Sequence, residues 1–308
     1  MTYFPLPEDA LQPFTTRNGS VFVTNSMLDR FLNETVDLEM EASERLRWLA
    51  INVESQTFDD GWFSLKRIYD RAIEENSNNI DSYHSLVISA IEWINPRQTE
   101  PIQDRIEIAK EAEAYLLQAK LLAPTDADLI YSHGKLLYSH PERVSHKDSE
   151  YVGLALEQFE VALAQDSKHQ MAALYKAHCL NDQEQWRNAF EAYSKVDTKE
   201  LIKQYPYWKW RTLKLQEQKA LCCAKMGDIN QAIQILLNFF DTVEQLSEQA
   251  SKYDVVNLDE SVDLLTNIIT NRPELLQRLK TIAERAGWED YYQWNAAPNT
   301  STSQAVDP

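Results

Sequence analysis

The stretch at residues 171–196, MAALYKAHCLNDQEQWRNAFEAYSKV, restricts the fold more than any other part of the chain. Two apolar-periodic runs flank a polar turn. Ala177 marks the small position of the first run, and Trp186, Ala189, Tyr193 and Val196 follow in the second at helical spacing, large and small side chains sharing one face. Two antiparallel helices come close only where one of them presents a small side chain, and an aromatic ring then fills the space beside it. The stretch therefore predicts a helical hairpin. It specifies packing and names no reaction.

Composition points the same way. Six glycines in 308 residues leave few tight turns for a β-rich fold, and a 44% hydrophobic content supplies a large core, so the chain is expected to be all-α. The net charge of −18 opposes a role on nucleic-acid phosphates, which require Lys and Arg for neutralisation. Acidity is concentrated at the ends: residues 1–60 hold eleven acids against four bases, and residues 241–308 hold twelve against five. Such ends keep a protein soluble and unassociated, or select a basic partner.

No apolar run approaches the ~20 residues of a membrane span, and the start MTYFPLPEDALQPF lacks the basic and apolar segments of a signal peptide. Cytoplasmic residence is the expectation. Cys179, Cys222 and Cys223, odd in number and two of them adjacent, fit a reducing compartment and read as small core residues.

Residues 1–25, rich in Pro, Thr and Asn, read as an extended N-terminal arm, and residues 26–45 as an N-terminal cap helix with Met27, Phe31, Leu32 and Val36 on its stripe. A window of 34 residues then recurs. From 46 to 79 it places Val53, Trp62, Leu65, Tyr69 and Ala72 at the eighth, seventeenth, twentieth, twenty-fourth and twenty-seventh places. The windows 80–126 and 127–169 carry insertions around NPRQTEP and HPERVSHKD; the first has Ala112, Leu116 and Ala119 at its later places, and the second has Gly134 at its eighth place and Ala155, Phe159 and Ala162 at its later ones. The fourth, 170–203, is uninterrupted, and a fifth, 213–246, holds Ala220, Ala232, Leu236 and Phe239. Residues 247–294 read as a helical C-terminal cap, with Pro273 opening a helix to Ala286, and residues 295–308 as a disordered tail.

The spacing over residues 46–246 resembles the tetratricopeptide repeat (TPR), with small residues at the eighth, twentieth and twenty-seventh places and bulky ones at the seventeenth and twenty-fourth. Departures include Val53 at an eighth place and Pro124 as the only proline at its usual place. The resemblance implies an α-α superhelix, a solenoid of about five hairpins with capping helices at both ends. It also implies a concave groove lined by the first helix of each pair. Carried onto this chain, the groove places give His84, Ile88, Tyr131, Lys135, Tyr138, Leu174, His178, Lys214 and Glu217 as candidate partner-binding residues. The Lys and Asn clamp by which co-chaperone members grip a C-terminal carboxylate is not reproduced: the corresponding places hold Ala50 and Glu54, His84 and Ile88, Tyr131 and Lys135, Leu174 and His178.

A second candidate surface is YPYWKW, where Tyr205, Tyr207, Trp208 and Trp210 form an aromatic patch of the kind that dominates binding hot spots, or else fold against a neighbouring pair. Signatures for phosphate loops, zinc proteases and acyl transfer are missing, and the six histidines are scattered. His140 and His146 with Glu142 or Asp148 form only a weak candidate metal set in a polar loop. The expected function is a non-enzymatic scaffold that binds a protein or peptide in the groove, without cofactor, metal, nucleic acid or membrane. The alternative is a regulatory sensor whose groove takes a small peptide or metabolite and controls an effector.

Overall fold

The computed structural model describes residues 6, 8–14, 23–36, 38–53, 62–94, 101–145, 150–205, 210–245 and 272–286. Among the described residues all regular structure is helical, and the fold class is all-α as the glycine-poor sequence predicts. The chain divides into two compact units, Met1–Gln183 and Glu184–Pro308. This division cuts through the expected fourth repeat, 170–203, at a turn where Glu184 takes a left-handed φ of 58°.

Unit 1 contains α1 (Glu8–Leu11), α2 (Asn25–Glu34), α3 (Ala42–Val53), α4 (Trp62–Glu75), α5 (Ile80–Trp93), α6 (Ile102–Leu122), α7 (Ala127–Tyr138), α8 (Pro141–Ser145), α9 (Glu150–Gln165) and α10 (Gln170–Asp182). Helices α3 and α4, α5 and α6, and α7 and α9 form successive hairpins. The first helices of neighbouring hairpins also touch, α3 to α5, α5 to α7 and α7 to α10, which makes the array a stack. Three of those first helices start on a side-chain cap. Asn79, Asp126 and His169 accept hydrogen bonds from the backbone N–H groups of Ser82, Leu129 and Ala172, satisfying donors that a helix start leaves open.

The residues singled out by the repeat pattern are the ones that meet. Ala72, Ala112, Ala119, Ala155, Ala162 and Ala177 are fully buried, as are Tyr69, Leu116 and Phe159. The Tyr69 hydroxyl shares a 3.0 Å hydrogen bond with the Ser89 hydroxyl, tying the second helix of one hairpin to the first of the next. Helices α7 and α9 come close at Gly134. A β-carbon on Gly134 would lie 2.6 Å from a ring carbon of Phe159, so glycine there is a packing requirement.

Two expectations at the N-terminus need correction. Residues 1–25 are not an extended arm throughout: Glu8–Leu11 is helical and Gln12–Phe14 forms a 3-10 turn. Leu6, Ala10 and Phe14, spaced four apart, bury one apolar face, with Phe14 edge-on to Phe31 at 6.0 Å. The cap helix expected over 26–45 stops at Glu34. Thr35 turns its hydroxyl onto the Phe31 carbonyl, and the buried Arg45 of α3 donates to the Leu32 carbonyl at 2.8 Å and to the Thr35 hydroxyl at 3.0 Å. These bonds absorb carbonyls that the helix end leaves without partners.

Unit 2 contains α11 (Trp186–Lys195), α12 (Thr198–Gln204), α13 (Trp210–Lys225), α14 (Ile229–Glu244) and α15 (Pro273–Ala286). Helix α13 packs on α11 and on α14, and α15 packs on α14. Gly227, at φ 82°, ends α13: the Asp228 N–H reaches back to the Cys223 carbonyl and the Gly227 N–H to that of Ala224. Asp228 then caps α14. Arg278 of α15 bridges Asp241 at 2.7 Å and Glu244 at 2.9 Å, and Leu275 is buried beside this contact's helix. The aromatic group 288–294, the tail 295–308 and the helical segment expected near 259–270 lie outside the described residues.

The two helical glycines of the third repeat give opposite predictions. Gly134→Ala forces the ring of Phe159 aside and is expected to lower unfolding stability by about 1–3 kcal/mol, part of it recovered by adding Phe159→Leu. At Gly153 of α9 nothing lies within 4 Å of an added β-carbon, so Gly153→Ala is expected to stabilise by about 0.5–1 kcal/mol. Denaturant titration of both variants checks the pair; equal effects in the two would contradict the packing.

Candidate partner-binding surface

The first helices α5, α7 and α10 of unit 1 bring most of the predicted groove residues into one row. Between α5 and α7, His84 Nε2 and Ser132 Oγ lie 2.8 Å apart. Burial holds the His84 imidazole below its ordinary range, so a neutral ring serves this bond at neutral pH. Ile88, one turn further along α5, is half-buried against the core.

Between α7 and α10 the row is organised by Tyr175, a residue the repeat pattern does not single out. The Lys135 ammonium donates to the Tyr175 hydroxyl at 2.7 Å and stands 4.2 Å from the centre of the same ring. Around it lie the rings of Tyr131 at 6.0 Å, Tyr138 at 5.5 Å and His178 at 5.4 Å. Tyr138 also stacks on His178 and donates its hydroxyl proton to Asp182 at 2.9 Å. Arg143, from α8, donates to the same carboxylate oxygen at 3.1 Å and places its guanidinium 4.0 Å over the Tyr138 ring. Burial pushes the Tyr138 phenol well above its usual value, which keeps it a proton donor at any physiological pH.

Charge on this row is unevenly matched. Arg143 has Asp182, whereas the Lys135 ammonium has a neutral phenol and a ring face, and no carboxylate among the described residues. A half-exposed cation of that kind, set among aromatic rings, is able to take a hydrogen-bond acceptor from outside.

Other predicted residues do not present themselves. Leu174 is 2% exposed and Tyr131 9%, so both belong to the packing of the row and not to its open edge. In unit 2, Glu217 is fully buried and paired with Lys214 at 3.0 Å one turn earlier; it is an internal ion pair and not a partner contact. The groove rule assigns positions by repeat register alone, and a helix sunk more deeply between neighbours draws such positions into the core. Of the aromatic patch, Tyr205 is half-buried and its backbone N–H closes α12 on the Leu201 carbonyl, while Trp210 is the first residue of α13. Tyr207 and Trp208 lie outside the described residues.

Tyr175, Arg143 and Ser132 are the residues that sequence reasoning missed. For Tyr175 a signal existed: it lies three residues before His178, within one helical turn on the same helix. Arg143 belongs to an insertion that repeat register does not number. The three cysteines are buried thiols; burial pushes Cys179 upward and Cys222 up to about 12, the opposite of an activated nucleophile. Among the described residues no three His, Cys, Asp or Glu side chains converge as metal ligands, and His146 and Asp148 fall outside them. No helix of the described residues is long and apolar enough to cross a membrane.

The buried histidines of unit 1 set a pH dependence. Burial lowers His84, His133 and His140 from the ordinary 6.5, so below that pH the unfolded chain binds protons that the folded chain resists. Stability is therefore expected to fall as pH drops through 6.5, and these groups contribute no slope above it. Thermal melts across that range check the sign, and His84→Asn should make the slope shallower; a rise in Tm on acidification would contradict it.

No family model matches the sequence, and no curated protein matches it either. Solved structures with a similar fold include MamA, at 16% identity over 60% of this chain and 91% of that one, with a TM-score of 0.44. A thermophilic TPR protein of Thermus thermophilus, TTC0263, aligns at 17% identity over 65% of this chain and 88% of that one, with a TM-score of 0.43. The human IFIT1 dimer with PPP-AAAA aligns at 13% identity over 86% and 75%, with a TM-score of 0.33. At these scores the overlays add nothing to what the helices themselves show. The hairpins are TPR-like in their own packing, with Gly134, Ala177 and Ala220 buried at the eighth place of their repeats.

Proposed function

We propose that unit 1 is a non-enzymatic scaffold that binds a protein segment or peptide along the row formed by α5, α7 and α10. The observation that carries the reading is the half-exposed ammonium of Lys135, held on a neutral phenol between rings with no carboxylate among the described residues to answer it. Tyr138 and His178, also half-exposed, supply flat surfaces and hydrogen-bonding edges beside it. Such a row suits an extended segment or one face of an amphipathic helix, gripped by aromatic contact and by an acceptor on the ammonium. The rings are already held by Asp182, Arg143 and Tyr175, so little ordering is needed on binding.

Selection from a random displayed peptide library tests this directly. Peptides retained by the intact chain are expected to lose about tenfold or more in affinity against Lys135→Ala or Tyr138→Ala, the scale of a hot spot, and less against Lys135→Arg. Enriched peptides indifferent to all three substitutions, or no enrichment at all, would remove the groove from the account. A thermal-shift screen with metabolites separates the sensor reading, since a ligand that binds only the folded chain raises Tm.

A further inference from the structure

The second helices of unit 1 carry, beside the stripes that bury them, a further apolar row turned to solvent. On α6, Ala109, Ala112, Leu116 and Ala119 face the core, yet Leu117 and Leu121, four residues apart, are 50% and 85% exposed. On α9, Val152, Ala155, Phe159 and Ala162 are buried, while Leu154 and Val161, seven apart, are 41% and 45% exposed. The two rows adjoin, because Lys120 donates to the Gln158 side chain at 3.2 Å across the gap. Leu117 lies one turn before Lys120, and Leu154 and Val161 lie one turn either side of Gln158. Single exposed leucines are ordinary on protein surfaces; four large aliphatic side chains in register on adjacent helices form a patch.

The surroundings of the patch have a sign. Helices α6 and α9 together hold seven acids against three bases, and α9 has no base at all. Lys110 is engaged by Glu107 at 3.4 Å, and Lys120 turns toward His133 and Gln158. Glu157 lies inside the α9 row, between Leu154 and Val161, exposed and without an ion-pair partner among the described residues.

We propose that this surface docks a basic amphipathic helix of a partner protein, its apolar stripe on Leu117, Leu121, Leu154 and Val161 and its Lys or Arg side chains against Glu157 and the acidic margins. Helix-in-groove recognition uses anchors at this spacing, and opposite charge sets the orientation and speeds the encounter. A second copy of the chain is a poor occupant, since two molecules of net charge −18 repel each other. Anionic lipid and nucleic acid are opposed for the same reason. The site lies on other helices than the Lys135 row and does not depend on it.

Fluorescence anisotropy of the full chain with a synthetic leucine–lysine amphipathic helix tests the proposal, with a leucine–glutamate helix of the same apolar pattern and a scrambled leucine–lysine peptide as controls. The first peptide is expected to bind and the controls not. Leu121→Ser and Glu157→Lys, both at exposed positions that leave folding intact, are each expected to weaken binding about tenfold, whereas Lys135→Ala leaves it unchanged. Equal binding of the acidic or scrambled peptide would overturn the proposal. So would indifference to both surface substitutions, or a dimer in sedimentation that Leu121→Ser dissolves.

Discussion

The ring of Phe159 occupies the space that any side chain on Gly134 would need, and this contact sets how closely α7 and α9 approach. Full burial of a phenylalanine contributes roughly 1.5–3 kcal/mol, provided no void is left around it. Neighbouring second helices set alanine beside their large buried residue, as Ala155 and Ala162 stand beside Phe159 on α9: Ala112 and Ala119 flank the buried Leu116 on α6, and Ala72 follows the buried Tyr69 on α4. Where the aromatic also carries a hydroxyl, as in Tyr69, the hydrogen bond to Ser89 prevents a buried polar atom from opposing the packing.

A stack of this kind makes each hairpin depend on its neighbours, so its ends need covering. In unit 1 the cover comes from Leu6, Ala10 and Phe14 together with α2, whose last carbonyls are taken up by Arg45. In unit 2 the helix opened by Pro273 packs on α14, where Arg278 makes its double ion pair. Once the core stripes are taken up by neighbours, the edge of the first helices, with Lys135 and Tyr138, and the outward face of the second helices, with Leu121 and Glu157, are left open to solvent.

Much of the fold was legible because a packing code is local. Spacing between alanines and aromatics is a property of a single helix, and the buried set from Tyr69 to Phe239 follows it. Features that depend on distant partners were not legible. Leu6, Ala10 and Phe14 looked like part of a structureless lead-in because their apolar surface is scattered among Pro, Thr and Asn, and only the presence of α2 gives it somewhere to go. The helix α8 and the Arg143 it carries sit in an insertion with no place in the repeat numbering. The groove rule selects the half-exposed Lys135, Tyr138 and His178 together with the buried Leu174 and Glu217, because register specifies direction from a helix and not depth in the structure. The division at Gln183 left no compositional mark in an otherwise regular repeat.

The account rests on α7 and α9 meeting at Gly134. Nuclear Overhauser spectroscopy on protein labelled at glycine and phenylalanine measures that meeting without disturbing it. Cross-peaks between the Gly134 α-protons and the Phe159 ring are predicted, since the ring carbons lie within 3.0 Å of the position a β-carbon would take. A spectrum in which Phe159 shows contacts elsewhere and none to Gly134 would contradict the packing of the α7–α9 hairpin.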